Sequence, residues 1–96
     1  MGIIQDAYKQ KMAVQLKQWS AQINLLEAKV KNARADMKIK RADELHQLRV
    51  KQRAAFGKMR ELGKANGEAW EQVKEAADKI WRDLKTGVVA AHYKFK

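Results

Sequence analysis

The fold is decided by residues 16–37, LKQWSAQINLLEAKVKNARADM, in which apolar side chains recur at alternating steps of three and four residues. The recurring positions are Leu16, Trp19, Ile23, Leu26, Val30, Ala33 and Met37. This spacing is the a/d seam of a heptad repeat, along which α-helices pair by fitting side chains between one another. Tyr8 and Met12 extend the stripe towards the N-terminus at steps of four. The stretch therefore predicts a long amphipathic helix that pairs with other helices.

The seam continues beyond Met37 with one additional residue. It passes through Arg41 to Leu45 in two steps of four, and an insertion of this kind relaxes a left-handed supercoil. The heptads then resume as Leu45, Leu48, Gln52, Ala55, Met59 and Leu62. Because no Gly, Pro or Asn lies between Ala33 and Phe56, we predict one continuous helix over residues 1–62. A hairpin centred near residues 37–44 is the alternative.

Two polar residues, Arg41 and Gln52, occupy core-facing positions of this seam. Buried polar residues at such positions can fix the register and the oligomeric state of a coiled coil, at a cost in stability. We therefore expect Gln52→Leu to raise thermal stability and to broaden the distribution of oligomers.

A glycine-rich break, residues 63–67 (GKANG), separates this helix from a second one. Gly63 suits the left-handed conformation that follows a helix C-terminus, and Asn66 or Gly67 can begin the next helix. We predict an amphipathic helix over residues 68–86, with Gly87 as its end and residues 87–96 as a short basic and aromatic tail. The apolar stripe of this helix is Trp70, Val73, Ala77, Ile80, Trp81 and Leu84.

The two predicted helices differ greatly in length. A helix over residues 5–62 would be about 87 Å long at 1.5 Å per residue, and the second helix would cover only about a third of it. Most of the seam would then lie in water unless another chain covered it. The predicted fold class is all-α, a long coiled-coil helix followed by a shorter amphipathic helix in an oligomeric bundle. The simplest assembly is an antiparallel homodimer whose seams also accept the helix of Trp70 and Trp81.

The composition limits the chemistry that the chain can perform. Its 96 residues include no cysteine, which excludes disulfides and thiolate catalysis. His46 and His92 lie far apart, the single serine Ser20 has no histidine near it in sequence, and no nucleophile and base stand together. Asp43, Glu44 and His46 diverge around a helix, so no metal site is expected. We therefore predict a protein that is not an enzyme and that uses neither cofactor nor metal.

The net charge of +10 has two interpretations: a polyanionic partner such as nucleic acid or an anionic membrane surface, or a lysine-rich helix surface that serves solubility alone. Residues 38–67 carry nine basic and three acidic side chains, which makes this the most basic part of the chain. Arg49, Arg53, Arg60 and Lys64 fall on one flank of the helix and could follow phosphates over about 22 Å. No base-reading motif accompanies them, so such binding would be independent of nucleotide sequence. Alternatively, they flank the seam and pair with a partner helix.

The C-terminal helix and the tail are the candidates for contact with a membrane surface. Trp70 and Trp81 could insert into a membrane surface, but the polar face of their helix has nearly balanced charge, and packing in a bundle is the other interpretation. The tail residues 92–96 (HYKFK) have the mixed aromatic and basic character of a membrane or partner anchor.

No run of about 18 apolar residues exists, and the N-terminus lacks the layout of a signal peptide. We expect a cytoplasmic protein.

Several stretches of the chain resemble one family of small bacterial coiled-coil proteins that are often labelled stress-response proteins. These stretches are residues 8–11 (YKQK), 16–19 (LKQW), 35–40 (ADMKIK), 48–51 (LRVK), 69–74 (AWEQVK) and 80–85 (IWRDLK). The resemblance implies a two-helix, oligomeric coiled-coil body without catalytic residues. Typical members are acidic, whereas this chain is strongly basic, which indicates a specialised partner.

Together these patterns favour a non-enzymatic coiled-coil interaction or scaffolding protein that self-associates or binds a helical protein partner. The alternative is sequence-independent nucleic-acid binding through the central basic row. The third possibility is a peripheral membrane or complex-accessory subunit that acts through its C-terminal helix and tail.

Overall fold

The computed structural model describes residues 2–95 and contains three helices over that range. Met1 and Lys96, the last residue of the predicted tail, lie outside the described residues. The helices are α1 (Ile3–Lys31), α2 (Ala35–Lys64) and α3 (Glu68–Lys94), and residues 2–95 form no strand. They lie side by side in an elongated bundle of 51 × 17 × 17 Å, in which α2 runs antiparallel to the other two. The all-α class is therefore confirmed, with three helices in place of the two expected.

The predicted continuous helix over residues 1–62 is wrong, because the chain turns at residues 32–34. The backbone N–H of Asn32 donates to the carbonyl of Ala28 at 3.2 Å, and Arg34 then adopts extended backbone with ψ of 158°. Asparagine favours helix ends, because its side chain competes for backbone hydrogen bonds. The hairpin alternative is correct in kind, but the turn lies before the predicted residues 37–44.

The second break is confirmed in position, and its glycine differs from the one expected. α2 continues through Gly63 to Lys64, and Gly67 has the positive φ of 60° that L-residues rarely adopt. Glu68 and Glu71 occupy the first turn of α3, where the helix dipole favours negative charge.

The predicted end of the last helix at Gly87 is also wrong, because α3 continues to Lys94 and residues 87–95 form no separate tail. Gly87 lies against α2, where an added Cβ would come within 2.9 Å of Leu48 Cδ2. Glycine at this position allows α2 and α3 to approach closely. Val88, Ala91 and Phe95 then extend the buried face of α3.

The core of the bundle is built from the predicted seam. Leu16, Ile23 and Leu26 of α1 are buried against Leu48, Ala55 and Leu62 of α2 and the apolar face of α3. The turn at residues 32–34 folds the second half of the seam back onto the first, and α3 fills the third side. The expectation that an isolated chain would leave the seam in water is therefore wrong. None of the helices described in residues 2–95 is long and apolar enough to cross a membrane.

Candidate binding surfaces

The predicted oligomer seam lies inside a single chain. Its buried members are Leu16, Ile23, Leu26, Leu48, Gln52, Ala55 and Leu62. Trp19, Val30, Leu45 and Met59 are half-buried and contact this core, and Ala33 and Met37 are half-buried near the turn between α1 and α2. These residues serve intramolecular packing, so little of the seam remains available to another chain.

The core-facing position of Gln52 is confirmed, and its side chain connects two helices. Gln52 Nε2 donates to Ser20 Oγ on α1 at 2.8 Å, and Arg49 Nη1 donates to Gln52 Oε1 at 2.9 Å. The only long-chain polar residue buried among residues 2–95 is thus hydrogen-bonded at both ends of its amide. This satisfies the polar group that folding removes from water.

The predicted basic row is divided by the structure. Arg49 turns towards α1, where it donates to the carboxylate of Glu27 and to Asn24 Oδ1 at 3.1 Å. The hydrogen bond from Arg49, followed by the one from Lys31, holds the pKa of Glu27 below its usual value. Arg53, Arg60 and Lys64 remain exposed on the outer face of α2, the helix that also presents Val50 and Phe56 to solvent.

The predicted helix-docking residues face the core of the bundle. Trp70, Ala77, Trp81 and Leu84 are buried, and Val73 and Ile80 are half-buried. Trp81 Nε1 donates to the carbonyl of Met12 at 3.2 Å, so its polar atom is also satisfied. The bundle-packing interpretation of both tryptophans therefore agrees with the structure.

Tyr8 joins α1 to α3 beside these tryptophans. Its hydroxyl donates to Asp78 Oδ1 at 2.5 Å, and its ring meets the Trp70 ring edge-on at 5.6 Å between centres. Burial, and then the hydrogen bond to Asp78, raise the pKa of Tyr8 well above its ordinary value. Lys74 pairs with the same carboxylate at 3.6 Å, so Asp78 has a partner on each of the two helices.

The core-facing Arg41 lies at the opposite end of the bundle. Its guanidinium is 5.6 Å from the centre of the Phe95 ring and donates to Glu44 Oε1 at 3.1 Å. Arg41 Nε and Glu44 Oε2 are buried without a hydrogen-bond partner. Arg41 therefore packs the end of α3 against α2, although one polar atom of Arg41 and one of Glu44 lack a hydrogen bond.

The remaining polar candidates stay on the surface. His46 and His92 are both exposed, on α2 and α3. Asp43 accepts a hydrogen bond from Gln47 at 3.2 Å. Within residues 2–95, no three His, Asp or Glu side chains converge as a metal site would require.

The sequence did not predict an open groove between α1 and α3. These helices contact each other less extensively than either contacts α2. Three cavities of about 430, 700 and 560 Å³ follow one another along the line between them. We call this feature the α1/α3 groove. The residues that line it from α1 include Lys11, Gln15, Trp19, Gln22, Leu25 and Lys29, and those from α3 include Arg82, Lys85, Val89, His92 and Tyr93.

Comparisons of the chain with known protein families, with curated protein sequences and with solved structures found no match.

Proposed function

We propose that this protein is a non-enzymatic, cytoplasmic interaction module that binds an acidic partner protein. The observation that carries the proposal is an excess of unpaired cations beside exposed apolar side chains, on a bundle whose core is already closed. Among residues 2–95, ion pairs involve only five cations: Lys31, Arg41, Arg49, Lys58 and Lys74. An exposed surface that is both apolar and cationic favours a partner with apolar anchors and negative charge.

A partner of a different kind is favoured over a second copy of the chain. The heptad seam predicted self-association, but it is buried within the single chain. No dimer is therefore needed to bury Leu16, Ile23 and Leu26. Each copy also carries a charge of +10, which opposes close association of two copies.

Sequence-independent nucleic-acid binding is the second candidate, and the exposed Arg53, Arg60 and Lys64 support it. The row is shorter than predicted, about 17 Å along α2, because Arg49 is engaged with Glu27. Glu61 on the same helix pairs with Lys58 at 2.8 Å, which removes one more cation from those available to phosphates. Membrane-surface binding has less support, because Trp70 and Trp81 would have to leave the core to insert.

The test is capture of proteins on the immobilised native chain, with and without nuclease treatment, followed by mass spectrometry. We expect acidic proteins to remain bound after nuclease treatment and to be released as salt is raised, because exposed charges are screened. Loss of all bound protein on nuclease treatment would overturn the proposal in favour of nucleic-acid binding. Retention of no protein beyond that held by an unrelated helical protein of equal charge would also overturn it.

A further inference from the structure

The α1/α3 groove has a length and a shape that match a single helix. On α1 its lining extends from Tyr8 to Asn32, about 36 Å at 1.5 Å per residue. A helix of about 24 residues has the same length. A fourth helix laid over the groove would contact both α1 and α3 and would add a fourth member to the bundle.

The middle of the groove is apolar and accessible. Leu25 is 60% exposed and Val89 is 48% exposed, and the half-buried ring of Trp19 lies between α1 and α3 beside Val89. Gln15, Gln18 and Gln22 are the neighbouring positions on α1, and they are polar but uncharged. These residues provide an apolar centre onto which the hydrophobic stripe of an amphipathic helix can pack.

The ends of the groove are cationic. Lys11, Arg82 and Lys85 line one end and Lys29 lines the other. Within the described chain none of these four side chains takes part in an ion pair. The one carboxylate that lines the groove, Asp78, already accepts from Tyr8 and pairs with Lys74. Four unpaired cations against one paired carboxylate leave the groove with a net positive charge.

We propose that the α1/α3 groove binds an acidic amphipathic helix of a partner protein, as the fourth helix of the bundle. This proposal rests on the proposed function and names both its site and the class of its partner. The apolar stripe of the bound helix contacts Trp19, Leu25 and Val89. Its flanking carboxylates face the cations at the two ends of the groove.

Helix α2 of a second copy is disfavoured as the occupant of the same groove. The exposed apolar residues of α2, Val50 and Phe56, share their helix with the exposed Arg53 and Arg60. Docking α2 of another copy would therefore bring arginines towards the lysines of the groove. An acidic helix from a different protein avoids this repulsion.

The experiment is a fluorescence anisotropy titration of the full chain with a synthetic labelled peptide at low salt. The peptide has about 24 residues, with leucine at heptad positions a and d, glutamate at e and g, and alanine or glutamine elsewhere. We expect it to bind at least about tenfold more tightly than a scrambled peptide of the same composition. We expect no binding of a peptide that has lysine in place of glutamate. Equal affinity for the scrambled peptide, or failure of the acidic peptide to bind, would overturn the proposal.

Paired variants locate the site on the protein. Leu25→Ser with Val89→Ser is expected to weaken binding about tenfold, whereas Val14→Ser with Val50→Ser is expected to leave it unchanged. Val14 and Val50 are 52% and 50% exposed, so the control removes apolar surface of similar exposure away from the groove. Equal losses in the two double variants would overturn the assignment. Circular dichroism verifies that all variants keep their helix content.

A second pair of variants separates local from overall charge. Lys29→Glu with Lys85→Glu and Arg53→Glu with Arg60→Glu change the net charge equally. Only the first pair of substitutions is expected to weaken peptide binding, by about tenfold. An equal loss of affinity in both double variants would mean that peptide binding depends on net charge alone. That result would overturn the assignment of the groove as the binding site. Tighter binding of a single-stranded oligonucleotide to the groove would overturn the choice of occupant.

Two results of the capture experiment distinguish binding through another surface from an absence of protein binding. If proteins remain bound after nuclease treatment and the groove variants retain them equally well, the chain binds proteins through another surface. If the native chain captures no protein, the proposed function itself fails.

Discussion

The phenolic hydroxyl of Tyr8 on α1 donates a hydrogen bond to the carboxylate of Asp78 on α3, at 2.5 Å. Together with the bond from Trp81 Nε1 to the carbonyl of Met12, it joins α1 to α3 at one end of the bundle. The α1/α3 groove begins beside these two contacts and continues along both helices to Asn32 and Phe95. Side-chain hydrogen bonds therefore join the two helices that line the groove, at one end of it.

Tyr8→Phe removes this bond and keeps the ring. We expect the free energy of unfolding at neutral pH to fall by about 1–2 kcal/mol, because a half-buried carboxylate loses a donor. The pKa of Tyr8 is raised on folding, so its stabilisation is complete below the ordinary tyrosine pKa of about 10 and is lost as pH rises above it. The difference between wild type and variant should therefore be constant between about pH 6 and 9 and shrink at higher pH. Urea titrations at each pH measure it, and a difference that grows above pH 10 would contradict the assignment.

The ion pair between Arg49 and Glu27 predicts a dependence on acid. The pKa of Glu27 is lowered on folding, so its contribution is complete above the ordinary glutamate pKa and is lost as pH falls through the folded value. Thermal unfolding of the wild type should therefore be more sensitive than that of Glu27→Gln to acidification below about pH 5. Glu61→Gln, which alters an exposed pair within α2, is the matched control. Parallel pH profiles for the wild type and Glu27→Gln would exclude a contribution from this pair.

Two glycines in helix interiors are expected to respond oppositely to alanine. At Gly57 an added Cβ has nothing within 4 Å, so Gly57→Ala should raise the free energy of unfolding by about 0.5–1 kcal/mol. At Gly87 the Cβ would lie 2.9 Å from the buried Leu48 side chain, and Gly87→Ala should destabilise the bundle. Chemical denaturation of both variants measures the two changes in the free energy of unfolding. Stabilisation by Gly87→Ala equal to that by Gly57→Ala would contradict the close approach of α2 and α3.

Gln52→Leu tests whether the seam is intramolecular. We expect a gain of about 1 kcal/mol in the free energy of unfolding, because apolar burial replaces a polar group whose partners Ser20 and Arg49 can reach other acceptors or water. Both partners lie in the same chain, so sedimentation velocity should give the same distribution of species as the wild type. A shift in that distribution would show that Gln52 faces another chain, as the heptad pattern alone predicted.

Much of the core was predictable, because burial follows a local periodicity. The steps of three and four from Leu16 to Leu62 identify the buried face of α1 and α2 whether or not the helix is interrupted. The same steps continue through Leu84, Val88, Ala91 and Phe95, so the stripe itself indicated a helix beyond Gly87. Gly87 was misleading because glycine also serves a close contact between helices.

The turn and the groove were harder to predict, for different reasons. The turn at residues 32–34 contains neither Gly nor Pro, and its only local signal is Asn32, which lies inside the predicted continuous helix. The α1/α3 groove has no local signal, because it depends on which side of α1 receives α3. Leu25 and Val89 are 64 positions apart in sequence and become parts of one surface only when the three helices are assembled.

The measurement that tests the central claim most directly is an NMR titration of the ¹⁵N-labelled chain with the acidic amphipathic peptide. The chain has three tryptophans, whose indole N–H signals are resolved from the backbone and can be assigned with single Trp→Phe variants. We expect the Trp19 signal to shift in proportion to peptide bound, because Trp19 lines the groove, while the signal of the buried Trp70 stays in place. An unchanged Trp19 signal at saturating peptide, or equal shifts of Trp19 and Trp70, would contradict binding in the α1/α3 groove.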